Sequence, residues 1–250
     1  MFNGQREFYE KFHHSLKRSK LEALKQSLRL KAIADLANVS CRPGARGLIA
    51  GCGSGEDTLV VKHRVTAFDF SFNAIRNAIR NFPGNAYLVA DGMELPFLDN
   101  SFDLIICSEV LEHIISRERM IAELHRVLKK DGFIVFSVPN WICWYGIARK
   151  TAEFILRRPV TAGNQPVDNW YTFEGLQREL GPYFRITHIR GAWYYPPFAK
   201  GYHKWLDLLI FPVFRIFQPL DFFLGNTFPS LGSHILAVRC TKHKKGRENG

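Results

Sequence analysis

The chain has 250 residues, 46% hydrophobic and 23% charged, so it can bury the core of one α/β domain and shows no sign of disorder or repeats. Its five cysteines are scattered without CxxC or Cys/His ligand spacing, which indicates neither a disulfide framework nor a zinc site and fits a reducing cytosol. Charged residues recur throughout 1–30, which argues against a signal peptide. No uncharged apolar run reaches roughly 18 residues, which argues against a membrane span.

The formal net charge is +11, which favours attraction to anionic partners but does not identify a substrate. Basic residues concentrate in 6–46, in 149–158 and in a C-terminal tail over 242–250. Each cluster fits either a contact with RNA or an anionic membrane or an ordinary solvated surface, and composition leaves these alternatives open.

The first half of the chain alternates helices with short apolar runs. Apolar residues recur at helical spacing over 15–38, which predicts an amphipathic helix that ends before Pro43 and Gly44. The next predicted elements are strand 47–50, helix 57–62, strand 65–68, helix 72–81, strand 86–90, strand 103–107, helix 119–129 capped by Lys130-Asp131-Gly132, and strand 133–138. Apolar strands alternating with helices indicate a parallel, doubly wound sheet that binds ligands beyond the carboxyl ends of its strands.

The second half of the chain is less regular. The sequence predicts a helix over 141–158 that mixes aromatic and basic residues, a short helix over 173–180 capped by Thr172, a sixth strand over 184–189 and a last strand over 234–240. A long aromatic segment, 193–228, separates the last two strands and contains four prolines.

Polar residues and glycines follow the first four strands where each strand ends. They are Gly51, Gly53 and Gly55 after the first, Asp69 after the second, Asp91 after the third, and Ser108 and Glu109 after the fourth. Glycines let a ligand approach the main chain, and a carboxylate can accept both hydroxyls of a ribose. These residues predict an adenosine derivative as the ligand.

The glycine spacing distinguishes between adenosine ligands. Dinucleotide folds use G-x-G-x-x-G, whereas this chain has G-x-G-x-G followed by Glu56. With the acidic residues after the second and third strands, the stretch 47–140 resembles the class I S-adenosylmethionine-dependent methyltransferases of the type 11 group. The motifs in family order are Gly51-Cys52-Gly53-Ser54-Gly55, Phe68-Asp69-Phe70-Ser71, Asp91-Gly92-Met93-Glu94-Leu95-Pro96-Phe97, Ser101-Phe102-Asp103-Leu104, Glu109-Val110-Leu111-Glu112-His113 and Arg126-Val127-Leu128-Lys129-Lys130-Asp131-Gly132.

The resemblance implies both the fold and the cofactor. The implied fold is α/β: a Rossmann-like, doubly wound sheet of seven strands, mostly parallel with an antiparallel last strand, with helices on both faces and helical and aromatic insertions. S-adenosylmethionine is the implied cofactor, with the glycine loop against its methionine part, Asp69 on the ribose and Asp91 on the adenine. The implied cofactor-binding residues are Gly51, Cys52, Gly53, Gly55, Asp69, Phe70, Asp91, Gly92, Met93 and Ser108.

Ile49 departs from the family pattern. The family usually has an acidic residue at this position that helps to hold the amino group of the cofactor. With an apolar residue there, either affinity is weaker or another group, such as Ser108 or Glu109, substitutes.

Glu109, Glu112 and His113 are the candidate catalytic residues, because i, i+3 and i+4 positions of a helix share one face. The E-x-x-E-H spacing resembles that of ubiquinone-pathway O-methyltransferases and small-RNA 2′-O-methyltransferases, where it can bind a divalent metal. A metal is not favoured here, because the downstream histidine of those enzymes is absent from the stretch 163–171.

Residues 141–158 also resemble the region where the quinone-pathway enzymes carry a membrane-docking element. With the aromatic segment 193–228, this predicts peripheral contact with the inner membrane face and a lipid-like or small-molecule acceptor, and the alternatives are an inward-packed lid and a dimer interface.

An RNA-directed methyltransferase and a non-enzymatic cofactor-binding scaffold are the alternative functions, and nucleic acid is not favoured because no RNA-binding module is recognised. The predicted divisions are a helical lid 1–46, a cofactor-binding core 47–140, an acceptor-side region 141–241 and the tail 242–250.

Overall fold

A computed structural model of the chain describes residues 7–11, 20–37, 44–160, 165–195 and 211–243. It contains one seven-stranded sheet in the order β3-β2-β1-β4-β5-β7-β6, in which β7 runs antiparallel to both neighbours and the other strands are parallel. The strands are β1 Gly47–Ala50, β2 Thr66–Asp69, β3 Ala86–Val89, β4 Phe102–Ser108, β5 Leu128–Pro139, β6 Phe184–Ala192 and β7 Ile235–Lys242. The predicted fold class is confirmed.

Helices cover both faces of this sheet. The α-helices are α1 Lys20–Ala37, α2 Phe72–Asn81, α3 Arg117–Val127, α4 Trp144–Leu156, α5 Phe173–Leu180 and α6 Gln218–Thr227. Residues 7–11 and 211–216 are also helical. The predictions for residues 15–19 and 38 of the first helix, for 196–210 of the aromatic segment and for 244–250 of the tail lie outside the described residues.

The central strands are buried on both faces. In β1, Leu48 and Ile49 are both fully buried but belong to different apolar clusters, because successive side chains of a strand point to opposite faces. Leu48 packs in the large cluster with α3 and α5 residues, whereas Ile49 packs with Ile33 and Leu36 of α1. The apolar residue at position 49 therefore forms part of the surface on which α1 docks.

The predicted boundary between the helix over 119–129 and the fifth strand is wrong. The helix ends at Val127, and β5 already begins at Leu128, which pairs with Phe102 of β4. The segment predicted as a helix cap instead extends the strand through an irregularity before Phe133. Lys129 explains the difference, because its ammonium donates to both oxygens of Asp103 at 2.8 Å and ties this segment to β4.

Two other predicted helices differ from the structure. The helix after the glycine loop is a short 3₁₀ helix, Glu56–Val60, and α4 begins at Trp144 and ends where Arg157 adopts φ 51°. No helix within the described residues is long and apolar enough to cross a membrane.

Candidate cofactor and active site

A cavity of about 360 Å³ lies beyond the carboxyl ends of β1, β2 and β4. Of the sequence-predicted site residues, the structure places nine around it: Gly51, Cys52, Gly53, Asp69, Phe70, Gly92, Ser108, Glu109 and His113. Gly55, Asp91, Met93 and Glu112 do not line it. The cavity is also bounded by residues that sequence reasoning did not select, namely Tyr9, Glu22, Lys25, Gln26, Arg29, Ser54, Glu56, Asp57, Phe68, Ala90, Val110, Ile114, Met120 and Gln165.

The glycine loop needs glycine for two different reasons. Gly51 has φ 66°, and a Cβ there would lie 2.6 Å from a methyl carbon of Val110. Gly55 has φ 96°, and a Cβ there would lie 2.8 Å from Phe82 and 3.0 Å from the Cβ of Ala78 in α2. Gly51 therefore lets the loop pass close to Val110 at the cavity wall, whereas Gly55 lets the loop pack against α2.

Asp69 organises the glycine loop at the cavity wall. Its Oδ2 accepts from the backbone N–H of Gly53 and its Oδ1 from that of Ser71, both at 2.9 Å. The side chain is buried at the cavity wall. A buried carboxylate at this wall is a charged acceptor of the kind that suits the two hydroxyls of a ribose.

The region after β3 forms another wall of the cavity. Asp91 accepts from the backbone N–H of Met93 at 2.9 Å, and this contact shapes the turn after β3. Gly92 faces the cavity, and a Cβ there would lie 3.2 Å from the sulfur of Met120. Ile114 and Met120 complete an apolar wall that suits a flat base, but in the sequence they resemble ordinary core residues.

A buried ion pair lies beside the glycine loop. Arg29 of α1 donates to Asp57 at 2.5 Å from Nη2 and at 3.3 Å from Nη1. Burial lowers the pKa of Arg29, but Asp57 and then Glu109 more than offset this, so the pKa is raised and the guanidinium is charged. Sequence reasoning missed Arg29 because a cation in a basic amphipathic helix resembles a solvated residue. Its position four residues before the buried Ile33 was the available signal.

A chain of hydrogen bonds extends from this ion pair to the ends of β4 and β5. Arg29 donates to Ser108, whose hydroxyl lies 2.7 Å from that of Ser137. Ser137 donates to Glu109 at 3.1 Å. Glu109 itself adopts φ 54°, so the chain turns sharply at the end of β4 and places Glu109 at the cavity wall.

The helical arrangement predicted for Glu109, Glu112 and His113 is wrong. Only Leu111–His113 form a 3₁₀ helix, and Glu109 lies outside it. Glu112 is buried away from the cavity, and its Oε2 has no hydrogen-bond partner within the described part of the chain. Burial, and then the charge of Glu109, raise the pKa of Glu112 well above its usual range, so this carboxyl is neutral.

His113 lies at the cavity wall, and its protonation state follows from its contacts. Nδ1 is 3.1 Å from the carbonyl oxygen of Val167, which can only accept, so Nδ1 carries the proton. Burial lowers the pKa of His113, which favours the neutral ring with Nε2 as the basic nitrogen. The ring lies 5.7 Å from that of Tyr9.

The segment 7–11 closes one side of the cavity. Glu10 accepts from the backbone N–H groups of Phe72 and Asn73 at 2.8 and 3.0 Å, at the beginning of α2. Tyr9 packs edge-on against Phe70, with ring centroids 5.5 Å apart. The segment thereby covers Phe70, the residue expected near the base.

No group of three or more His, Cys, Asp or Glu residues that could hold a metal ion occurs in the ranges 7–11, 20–37, 44–160, 165–195 and 211–243.

The sheet order, the glycine turn after β1 and the carboxylate after β2 together define a class I methyltransferase fold. Residues 48–136 match the family model for the methyltransferase domain. Residues 48–136 therefore belong to a methyltransferase domain with this fold, and S-adenosylmethionine is the cofactor of the family. The cavity fits that cofactor, because the glycine loop, the carboxylate of Asp69 and a buried charge pair all line it.

Similar proteins agree with this assignment. The chain is 28% identical over 140 residues to the malonyl-[acyl-carrier protein] O-methyltransferase of Hamiltonella defensa, covering 54% of this chain and 51% of that protein. It is 29% identical over 149 residues to the demethylmenaquinone methyltransferase of Beutenbergia cavernae, covering 56% and 62%. It thus spans about half to two thirds of these relatives' lengths. A methyltransferase structure from Thermotoga maritima superposes with a TM-score of 0.63 at 16% identity, covering 94% and 98% of the two chains, which shows the shared fold.

Proposed function

We propose that the chain transfers a methyl group from S-adenosylmethionine to an oxygen of a lipophilic small molecule at the cytosolic membrane face. The observation that carries the proposal is one cavity that places Asp69 and the glycine loop on one wall and Glu109 and His113 on another. The first wall suits the cofactor, and the second provides acid–base groups for an acceptor.

The bound cofactor would supply an electrophilic methyl group on a sulfonium. Asp69 and the glycine loop would fix its orientation, while α1 and Tyr9 limit access of water, so that alignment provides much of the catalysis. A hydroxyl acceptor needs to lose a proton, and the neutral ring of His113 can accept it at Nε2 because Nδ1 is held by Val167.

The relatives support an acceptor of this kind without identifying it. One is named for demethylmenaquinone and another for O-methylation of a malonyl group on acyl carrier protein. The proposal also includes a lid formed by residues 1–46 and an acceptor-side region formed by residues 141–241.

Exposed apolar residues of α4 and of the segment 211–231 favour the membrane location. Cys143, just before α4, forms a β-bridge with Gly232, just after this segment. The exposed apolar residues of both segments, together with Ile142, are here called the apolar face. Its residues are Ile142, Trp144, Ile147, Phe154, Ile155, Leu156, Val213, Ile216, Phe217, Leu220, Phe222, Phe223, Phe228 and Leu231. Large apolar side chains exposed in such numbers mark an interaction site.

Cations lie beside the apolar face. A groove between α1, β6 and α6 is lined by Lys31, Arg190 and Arg215. Lys31 Nζ lies 4.3 Å from the ring centroid of Phe222, and the guanidinium carbon of Arg190 lies 5.3 Å from it. Aromatic side chains flanked by cations suit the interface of an anionic bilayer.

Copelleting with vesicles tests the membrane part. We expect the protein to pellet with vesicles that contain anionic phospholipid, and expect both Phe154→Glu and Phe223→Glu to weaken this binding. Leu98→Glu is the matched control, because Leu98 is 83% exposed, as Phe154 is 85% exposed, but lies outside the apolar face. Equal pelleting of all four proteins would contradict the assigned surface.

Turnover is tested with cofactor labelled on its methyl group, using lipid, small-molecule and RNA fractions of a cell extract as separate acceptors. Label in the lipid fraction is the expected result. Label only in RNA, with binding that weakens steeply with salt, would favour the RNA-directed alternative. Cofactor binding without label in any fraction would favour the scaffold.

A further inference from the structure

We propose that the groove between α1, β6 and α6 binds the headgroup phosphate of an anionic phospholipid, and that it prefers a phosphomonoester to a phosphodiester. The inference rests on the proposed membrane location and adds a specific headgroup site to it. The groove has a volume of about 490 Å³, and none of its described lining residues also lines the cofactor cavity.

Two of the cations in this groove have no anionic partner. The guanidinium groups of Arg190 and Arg215 make no hydrogen bond or ion pair within the part of the chain that the structure describes. Arg190 is half-buried and contacts the ring of Phe222, so it has lost part of its hydration without gaining an anion. Two like charges that line one groove repel each other, and an anion that contacts both would remove this repulsion.

The two acidic residues of the groove are engaged elsewhere. An oxygen of Asp35 lies 3.5 Å from Nζ of Lys31, the third cation of the groove. Asp221 is buried and accepts from the backbone N–H groups of Trp193 at 3.2 Å and Tyr194 at 2.9 Å. Neither carboxylate therefore pairs with Arg190 or Arg215, whose two positive charges remain for a ligand.

The groove is formed before any ligand binds. Asp221 ties the first turn of α6 to the residues that follow β6. One turn later, the backbone of Gly225 packs directly on Gly191 of β6, and a Cβ at position 225 would collide with the carbonyl oxygen of Gly191. A groove held by such contacts needs little reorganisation to bind a ligand.

The groove is continuous with the apolar face. Ile216 and Phe222 line the groove and also belong to that face. A phospholipid with its phosphate in the groove can therefore keep its acyl chains in the bilayer against the apolar face. A phosphomonoester has a charge of about −1.5 to −2 at pH 7, which matches two unbalanced guanidinium groups, whereas a phosphodiester has a single negative charge.

Copelleting with two kinds of phosphatidylcholine vesicle tests this preference. One contains phosphatidic acid, and the other contains enough phosphatidylserine to give the same surface charge. We expect the wild type to bind the phosphatidic acid vesicles roughly tenfold more tightly, because both guanidinium groups would make charge-assisted hydrogen bonds to the phosphate. Arg190→Gln and Arg215→Gln should each remove most of this difference.

Matched variants separate headgroup recognition from general attraction. Arg80→Gln removes the same charge from the exposed surface of α2, which packs beside β3 at the other edge of the sheet. It should weaken binding to both vesicles no more than a few-fold and leave their ratio unchanged. Phe154→Glu, in the apolar face, should weaken binding to both vesicles equally. Thermal unfolding checks that the arginine variants are folded.

Glycerol 3-phosphate provides the same phosphomonoester without acyl chains. Because the membrane contacts are then missing, calorimetry should give a dissociation constant no tighter than about millimolar. A micromolar dissociation constant, with equal binding to the two kinds of vesicle, would identify a site for a free phosphate compound and overturn the lipid assignment.

The possible outcomes separate this inference from the proposed function. Equal binding of the wild type to both kinds of vesicle would overturn the headgroup site and leave the membrane location in place. A preference for phosphatidic acid that survives in both Arg190→Gln and Arg215→Gln would also overturn it. No binding to either kind of vesicle would overturn the proposed membrane location itself, while methyl transfer is measured separately with labelled cofactor.

Discussion

Replacing Asp69 by Asn gives the most direct test of the cofactor site. Each carboxylate oxygen accepts one backbone N–H at 2.9 Å, and the ribose hydroxyls would donate to the same charged group. Asn keeps one acceptor oxygen but turns an NH₂ group toward one of those N–H donors. Hydrogen bonds to a charged group contribute about 1.5–3 kcal/mol each, and Asn retains a neutral one. We therefore expect a loss of about 2–3 kcal/mol, or roughly 30- to 150-fold in affinity.

Calorimetry with S-adenosylhomocysteine and with methylthioadenosine measures this loss, and both ligands should be weakened because both contain the ribose. Thermal unfolding should report a smaller cost of about 1–2 kcal/mol from the lost loop contact. Asp131→Asn is the control, because Asp131 is exposed near the amino end of β5, whereas the cavity lies beyond the carboxyl ends of the strands. Affinities of folded Asp69→Asn within about threefold of wild type would refute the ribose assignment.

Three further substitutions test other parts of the site. Glu112→Gln should gain stability relative to wild type as pH rises above 4.5, because the unfolded carboxyl ionises there while the buried one stays protonated; a constant difference in denaturant unfolding from pH 4 to 8 would contradict this. Gly51→Ala should weaken cofactor binding at least tenfold, since a Cβ would lie 2.6 Å from Val110; unchanged calorimetry would contradict the assigned wall. His113→Gln should lower kcat about 10²- to 10⁴-fold. Since burial lowers the pKa of His113, the wild-type rate should persist below pH 6.5. An unchanged kcat in the His113→Gln variant would exclude His113 as the base.

Local signals fixed several elements of the fold. The prediction of helix 72–81 matches α2 because Ser71 caps its beginning, with its hydroxyl accepting from the backbone N–H of Ala74, and Pro83 follows its end. The end of α3 could not be predicted in this way. Leu128 leaves the helix because it pairs with Phe102, a contact between residues far apart in the chain.

In the candidate site, too, local features of the sequence could be predicted and contacts between distant residues could not. Glycines and carboxylates at strand ends were predictable, because the topology of a doubly wound sheet brings those ends together. The E-x-x-E-H segment was misjudged, since helical spacing alone does not show that Glu109 turns with φ 54° before the 3₁₀ helix begins. Arg29 was missed because its partner, Asp57, becomes a neighbour only when α1 docks on the sheet.

The position of α1 connects these results. Ile49 provides an apolar surface for Ile33 and Leu36, and the docked helix then places Arg29 against Asp57. Two residues further along, Lys31 lies on the other side of the helix, over the ring of Phe222 in the apolar face. Successive positions separated by two residues point in nearly opposite directions on a helix. One helix therefore contacts both the cofactor cavity and the proposed membrane surface, so a displacement of α1 would alter both, and substitutions in α1 require both the calorimetric and the vesicle measurement.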